Sequence, residues 1–230
     1  MNTARIIKKY SSEYYNKMFS IWPDISKKES IQKGKYFLQK YAMDEKVFRN
    51  ECFPIMQKIY KSTTDMPFNI QNMSIRNIFQ NGYKKSILIN SPLFNKDHFL
   101  AIQKIAEAYK EKNFFIIEDE MCEDSPEMAF KLKIPVNLTW EELTNGGCIS
   151  DVVLNMPQND FYVFGESGKW GRWCDYENPW IDYEVFGYIE DNQEVHDYLY
   201  RYVLSKSEYD KNFSNMGIPP IIKSHLILEE

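Results

Sequence analysis

The chain has 230 residues, which is more than a minimal domain and less than two average ones, so one large domain or a core with an appendage is expected. Hydrophobic residues at 43% and charged residues at 27% exclude a disordered or collagen-like chain. Aromatic residues at 16% can fill a core without disulfides or metals. The net charge of −5 conceals a division: residues 1–117 carry 20 Lys and Arg against 10 Asp and Glu, whereas residues 118–230 carry 8 against 23. Summed charge of this kind steers association, so the acidic half is suited to a basic partner.

The first residues, Met1 to Tyr10, show no apolar signal segment. Apolar runs such as Phe114-Phe115-Ile116-Ile117 fall far short of the roughly 20 residues of a membrane span. Cys52, Cys122, Cys148 and Cys174 are too widely separated for a zinc knuckle or a redox pair. A cytoplasmic protein with four free thiols and no membrane association is expected.

Residues 1–82 read as helical. A helix over about 3–20 stops at Trp22-Pro23-Asp24. Ser26 and Glu29 have capping-box spacing, and the helix they open carries Ile31, Leu38 and Tyr41 on one side. From Asp44, the apolar positions Phe48, Cys52, Ile55, Met56 and Ile59 keep a helical period, with a kink or break expected at Pro54. Residues 62–67 read as a loop, and a short helix over about 74–80 ends at Asn81-Gly82.

The period then changes. Ser86-Ile87-Leu88-Ile89 and Phe114–Ile117 read as buried strands around a helix that Asn95 caps and that carries Phe99, Ile102, Ile105 and Tyr109. Strand, helix and strand in this space predict a βαβ unit, with residues 86–90 paired parallel to 113–118. Further strands are expected near 128–133, 151–154, 161–164 and 183–189, with a capping box at Thr139–Glu142 and an amphipathic helix over about 192–205. The fold class is α+β: a helical N-terminal region, one βαβ unit, then a mostly antiparallel sheet with a C-terminal helix. Its organisation is residues 1–82 and 83–230, as two regions or one continuous domain.

Chemical motifs are sparse. Glu118, Asp119, Glu120, Glu123, Asp124 and Glu127 cluster after a strand, where oxygen ligands could hold Mg²⁺, although no phosphate loop precedes them. His98, His196 and His225 have no zinc-hydrolase spacing, and Ser167 lacks the Gly-x-Ser-x-Gly elbow. No catalytic residue, bound metal or cofactor is read from these patterns.

The most individual segment runs from Phe161 to Trp180. A strand enters a glycine turn, and then Trp170, Trp173, Tyr176 and Trp180 lie among Glu166, Asp175 and Glu177. Such rings dominate binding interfaces because they bury large area at small entropic cost. Trp170 and Trp173 would point to opposite faces of an extended strand, so at most one is expected in the core. Glu166, Trp170, Trp173, Asp175, Tyr176, Glu177 and Trp180 therefore form the candidate partner-binding set.

This segment, with Leu132-Lys133-Ile134-Pro135 and Trp140-Glu141-Glu142-Leu143 before it, resembles small bacterial proteins encoded beside polymorphic or contact-dependent toxins. The resemblance covers about residues 128–190. It implies an immunity-type role: binding a basic toxin domain and blocking it, with no catalytic residues. Two other readings remain, a metal-dependent enzyme using the acids at 118–127 and a nucleic-acid module using the basic N-terminal helices. Nucleic acid is the weaker, because those lysines are interleaved with acids.

Overall fold

The apolar runs near residues 86–89 and 114–117 become strands of the same sheet in a computed structural model, which describes residues 24–61, 78–89, 95–118, 131–147, 161–175, 183–202 and 207. The elements are α1 (Asp24–Tyr41), α2 (Glu45–Val47), a π-turn (Phe48–Cys52), α3 (Phe53–Ile59), β1 (Lys84–Ile89), α4 (Lys96–Ala108), β2 (Asn113–Glu118), β3 (Lys131–Pro135), α5 (Trp140–Thr144), β4 (Phe161–Gly165), β5 (Trp170–Asp175), β6 (Tyr183–Tyr188) and α6 (Gln193–Tyr202). The fold is mixed α+β. The expected helix at 3–20, the loop at 62–67 and the strand at 151–154 lie outside the described residues, as does the 74–77 part of the expected short helix.

Local chemistry sets the helix starts. Asn95 accepts from His98 N–H at 2.9 Å to open α4, and Asp44 does the same for α2 at Val47 N–H. Thr139 and Glu142 form a complete capping box at α5. Pro54, which has no N–H to donate, sits in the first turn of α3. The chain accommodates it with the π-turn, in which Phe53 N–H reaches back to Phe48 O. Residues 78–80 are not helical: Phe79 makes an isolated bridge to Tyr60.

The six strands form one antiparallel sheet in the order β1-β6-β5-β4-β2-β3. The parallel pairing expected for residues 86–90 with 113–118 is therefore wrong. β1 and β2 run in the same direction, since four antiparallel steps separate them, but β6, β5 and β4 lie between. A fully apolar run reports burial of both faces and carries no information about its neighbour. Antiparallel strands covered on both sides read the same way as parallel ones.

Both faces are covered. On one, α1, α4 and α6 bury Leu38, Ile102, Ile105 and Leu199 against Phe114, Val163, Trp170 and Phe186. Phe99, Ile102 and Ile105 are buried as the helical pattern requires, and Tyr109 is half-buried. On the other face, the turn from Met43 to Tyr60 and residues Ile78–Phe79 cover Phe115, Phe164, Trp173 and Val185. Gly171 and Gly187 oppose each other across β5 and β6. A Cβ at either would collide, with the Tyr60 hydroxyl or the Phe79 ring. These two glycines make a trough in which both rings lie on the sheet backbone, and Tyr60 O–H reaches Arg172 O at 3.1 Å and Val163 O at 3.3 Å.

Candidate functional site

The two ends of the sheet differ in chemistry. At one end, the β4–β5 turn is locked to the turn between α4 and β2. Glu166 accepts from Lys112 N–H at 3.1 Å, Asn113 N–H at 3.0 Å and Asn113 Nδ2 at 2.8 Å. Glu111 accepts in return from Ser167 N–H at 3.0 Å, from Ser167 Oγ and from Trp170 Nε1 at 3.1 Å. Burial pushes the Glu111 carboxyl above the usual carboxylate range, and the nearby Glu166 charge adds to the rise, against the hydrogen bonds from Ser167 and Trp170. Gly168 takes φ +64° to close the turn. Lys169–Glu190 and Lys84–Asp191 pair beside it.

Three residues of the expected partner-binding set are spent here. Glu166 is held by backbone amides and by Lys133 at 3.6 Å. Trp170 is fully buried, stacked on Phe186 at 6.1 Å between centroids. Trp173 is buried as well, at 2% exposure. The two rings do point to opposite faces, but each face has its own helical layer, so the expectation that at most one belongs to the core is corrected. Asp175 ends β5, and Tyr176, Glu177 and Trp180 lie outside the described residues.

The opposite end gathers every other strand terminus. Ile89 opposes Tyr183, which also opposes Asp175; Phe161 opposes Cys174 and Glu118; Ile117 opposes Lys131. Residues 90–94, 119–130, 148–160 and 176–182, which connect to these ends, lie outside the described structure. In sequence they hold nine Asp and Glu and no Lys or Arg.

Inside the sheet, toward this end, sits a buried ionic group that the sequence patterns did not single out. Arg172 Nε pairs with the Glu184 carboxylate, whose other oxygen accepts from Tyr198 O–H at 2.7 Å. All three are essentially inaccessible. His98 is buried nearby, edge-on to Tyr202 at 4.2 Å. A signal was present: Arg172 and Glu184 are the charged residues inside two strands that are otherwise apolar or glycine apart from the terminal Asp175. Burial makes this group a staple between β5, β6 and α6 with no open route for a substrate.

Other candidates are structural. Lys131 and Lys133 on β3 pair with Glu45 and Glu51 at 3.1 Å each, tying the 45–59 helical segment to the sheet. Lys33 pairs with Glu29 at 2.9 Å, so the described part of the basic helical region carries mixed charge. The Cys52 thiol is free and buried, and burial pushes it up, away from thiolate chemistry. The other three cysteines' side chains are outside the described set. Among the described residues, no three His, Cys, Asp or Glu side chains are gathered to hold a metal, and no helix is long and apolar enough to cross a membrane. A groove of about 140 Å³ between α4 and α6 is lined by Asp97, Leu100, Lys104, Glu194, Asp197 and Arg201. Comparison of the chain with protein-family models, with curated proteins and with solved structures finds no match.

Proposed function

We propose that the protein is an immunity-type binding protein that neutralises a cognate bacterial toxin by occluding a basic surface, with the acidic end of the sheet as the surface that meets it. The supporting observation is the polarity of the sheet. One end is closed by reciprocal carboxylate–amide bonds and paired charges. At the other, the strand termini join segments holding nine acids and no base. An excess of like charge in the segments that join these termini raises the encounter rate with a cationic partner and disfavours an anionic one. Glu177 and Trp180 of the expected set belong to one of these segments, whereas Glu166, Trp170 and Trp173 act inside the fold.

Co-expression with a toxin domain encoded beside the gene tests this reading. The wild type is expected to restore growth, and Glu177→Lys with Asp182→Lys to abolish the rescue while keeping the melting temperature. Affinity for the purified toxin domain is expected to fall as salt rises. Rescue that survives the charge reversal, or binding indifferent to salt, overturns the proposal.

A further inference from the structure

The sequence holds two Asn-Gly steps, Asn81-Gly82 and Asn145-Gly146, and the fold treats them differently. In such a step the glycine nitrogen can attack the asparagine side-chain carbonyl, because no Cβ on the glycine stands in the way. The reaction needs a side chain open to water and a backbone able to rotate into ring closure.

Asn81 and Gly82 form the turn between Gln80 and Tyr83, and both are exposed. Gly82 takes φ +96°, and a Cβ built on it would meet nothing within 4 Å. The turn is open, but its flanks are fixed. Gln80 N–H donates to Ile59 O at 2.8 Å, and its side-chain amide donates to Gln57 O and Tyr60 O at 3.1 Å each. Phe79 before it is fully buried against Gly187. On the other side, the Tyr83 hydroxyl donates to Gly168 O, and β1 begins at Lys84.

Asn145-Gly146 is placed the other way. Asn145 ends α5, with its N–H donating to Glu142 O at 3.3 Å, and Gly146 is buried. Gly147 follows at φ +58°, pressed so closely on α1 that a Cβ would come within 2.5 Å of Ser30 O. Rotating this peptide toward ring closure means opening the contact between the turn and α1.

We propose that Asn81 is a site of spontaneous modification, at which the Gly82 nitrogen closes on the Asn81 side chain while Asn145 is held back by its packing. The new bond joins Cγ of Asn81 to the Gly82 nitrogen, which gives up its proton. The bond from Cγ to the side-chain nitrogen breaks, and ammonia leaves with that proton. Water then opens the succinimide at either carbonyl, leaving aspartate or isoaspartate, and nothing is oxidised or reduced. Both products put a carboxylate in place of a neutral amide. Isoaspartate also inserts its β-carbon into the main chain. Because Gln80 and Tyr83 fix both ends of the turn, the extra atom pulls on the seat of Phe79. Isoaspartate therefore loosens the core on that face, whereas aspartate leaves it in place.

The test is incubation of the purified protein at mildly alkaline pH, folded and in urea, with peptide mapping of both steps. In the folded chain, conversion at Asn81 is expected to outrun that at Asn145 by about tenfold or more, since local opening at the buried step adds to its barrier. In urea the two are expected to convert at similar rates. Asn81→Gln, which would have to close a larger ring, is expected to lose the signal with the melting temperature unchanged. Protein carrying isoaspartate at 81 is expected to melt below fresh protein, whereas Asn81→Asp keeps the wild-type melting temperature. A preference for Asn81 no greater in the folded chain than in urea overturns the proposal. So does an Asn81 that stays intact when folded, or an isoaspartate form as stable as fresh protein.

Discussion

Glu111 and Glu166 reach past one another, each carboxylate accepting hydrogen bonds from the backbone of the other's turn. The exchange joins two segments distant in sequence and forces two acids close together at a partly buried site. Gly165 is part of the arrangement, because a Cβ there would strike the Glu111 carboxylate. The cost appears in the raised pKa of Glu111. A folded carboxyl that holds its proton more tightly than the unfolded one adds stability as pH falls through the folded value, and the gain levels off below the unfolded value of about 4.3. The wild type is therefore expected to gain stability relative to Glu111→Gln as pH drops from 7 toward 5, as urea denaturation at each pH would show. Parallel profiles for the two proteins would contradict this.

Gly171 and Gly187 set the depth of the second core. In an ordinary strand, alanine would be no worse than glycine, since it restricts the unfolded chain. Here Gly187→Ala drives a methyl into the Phe79 ring, and a loss of about 1–3 kcal/mol is expected. Phe79→Ala in the same chain should make the glycine substitution nearly harmless, so a thermodynamic cycle should show clear non-additivity. Additive losses would mean that the trough relaxes on its own.

The sequence was legible where its signals are local. Asn95, Asp44 and Thr139 cap helices because each satisfies amides within three residues. The amphipathic period of α6 needs only its own neighbours. β5 was obscured because Gly171 and Arg172 break a strand pattern, and the reasons lie far away, at Tyr60 and Glu184. The neighbours of β1 and β2 were misjudged because apolarity reports burial and not pairing. Both tryptophans proved buried because residues 43–60 return over the second face, which no short window of sequence reveals. Glu111 belongs to no motif, and its role exists only once the two turns meet.

Ser86 is a small flaw in the first core. It is fully buried in β1, and its Oγ has no hydrogen-bond partner among the described residues. An unsatisfied buried hydroxyl costs about 1–3 kcal/mol, more than the contacts of one oxygen return. Ser86→Ala is expected to raise stability by about 0.5–1 kcal/mol in chemical denaturation. A loss instead would show that the hydroxyl has found an acceptor.

Arg172, Glu184 and Tyr198 put a charge pair where the sheet would otherwise be apolar. Taking both ions out of water is expensive, and removing one partner leaves the other buried and uncompensated. Arg172→Met alone is expected to cost about 3–5 kcal/mol, and Glu184→Leu alone a similar amount. The double variant is expected to cost far less than their sum, because an apolar pair of similar volume needs no compensation. Tyr198→Phe removes one hydrogen bond to a charged acceptor while the ring still packs on Phe186 at 5.1 Å, so a smaller loss of about 1.5–3 kcal/mol is expected. That loss should vanish in the double variant, where no carboxylate remains to receive the hydroxyl. Equilibrium unfolding of the wild type, these four variants and the triple variant measures each difference. If Tyr198→Phe costs as much without Glu184 as with it, the hydroxyl has another partner, and the three residues do not act as one unit.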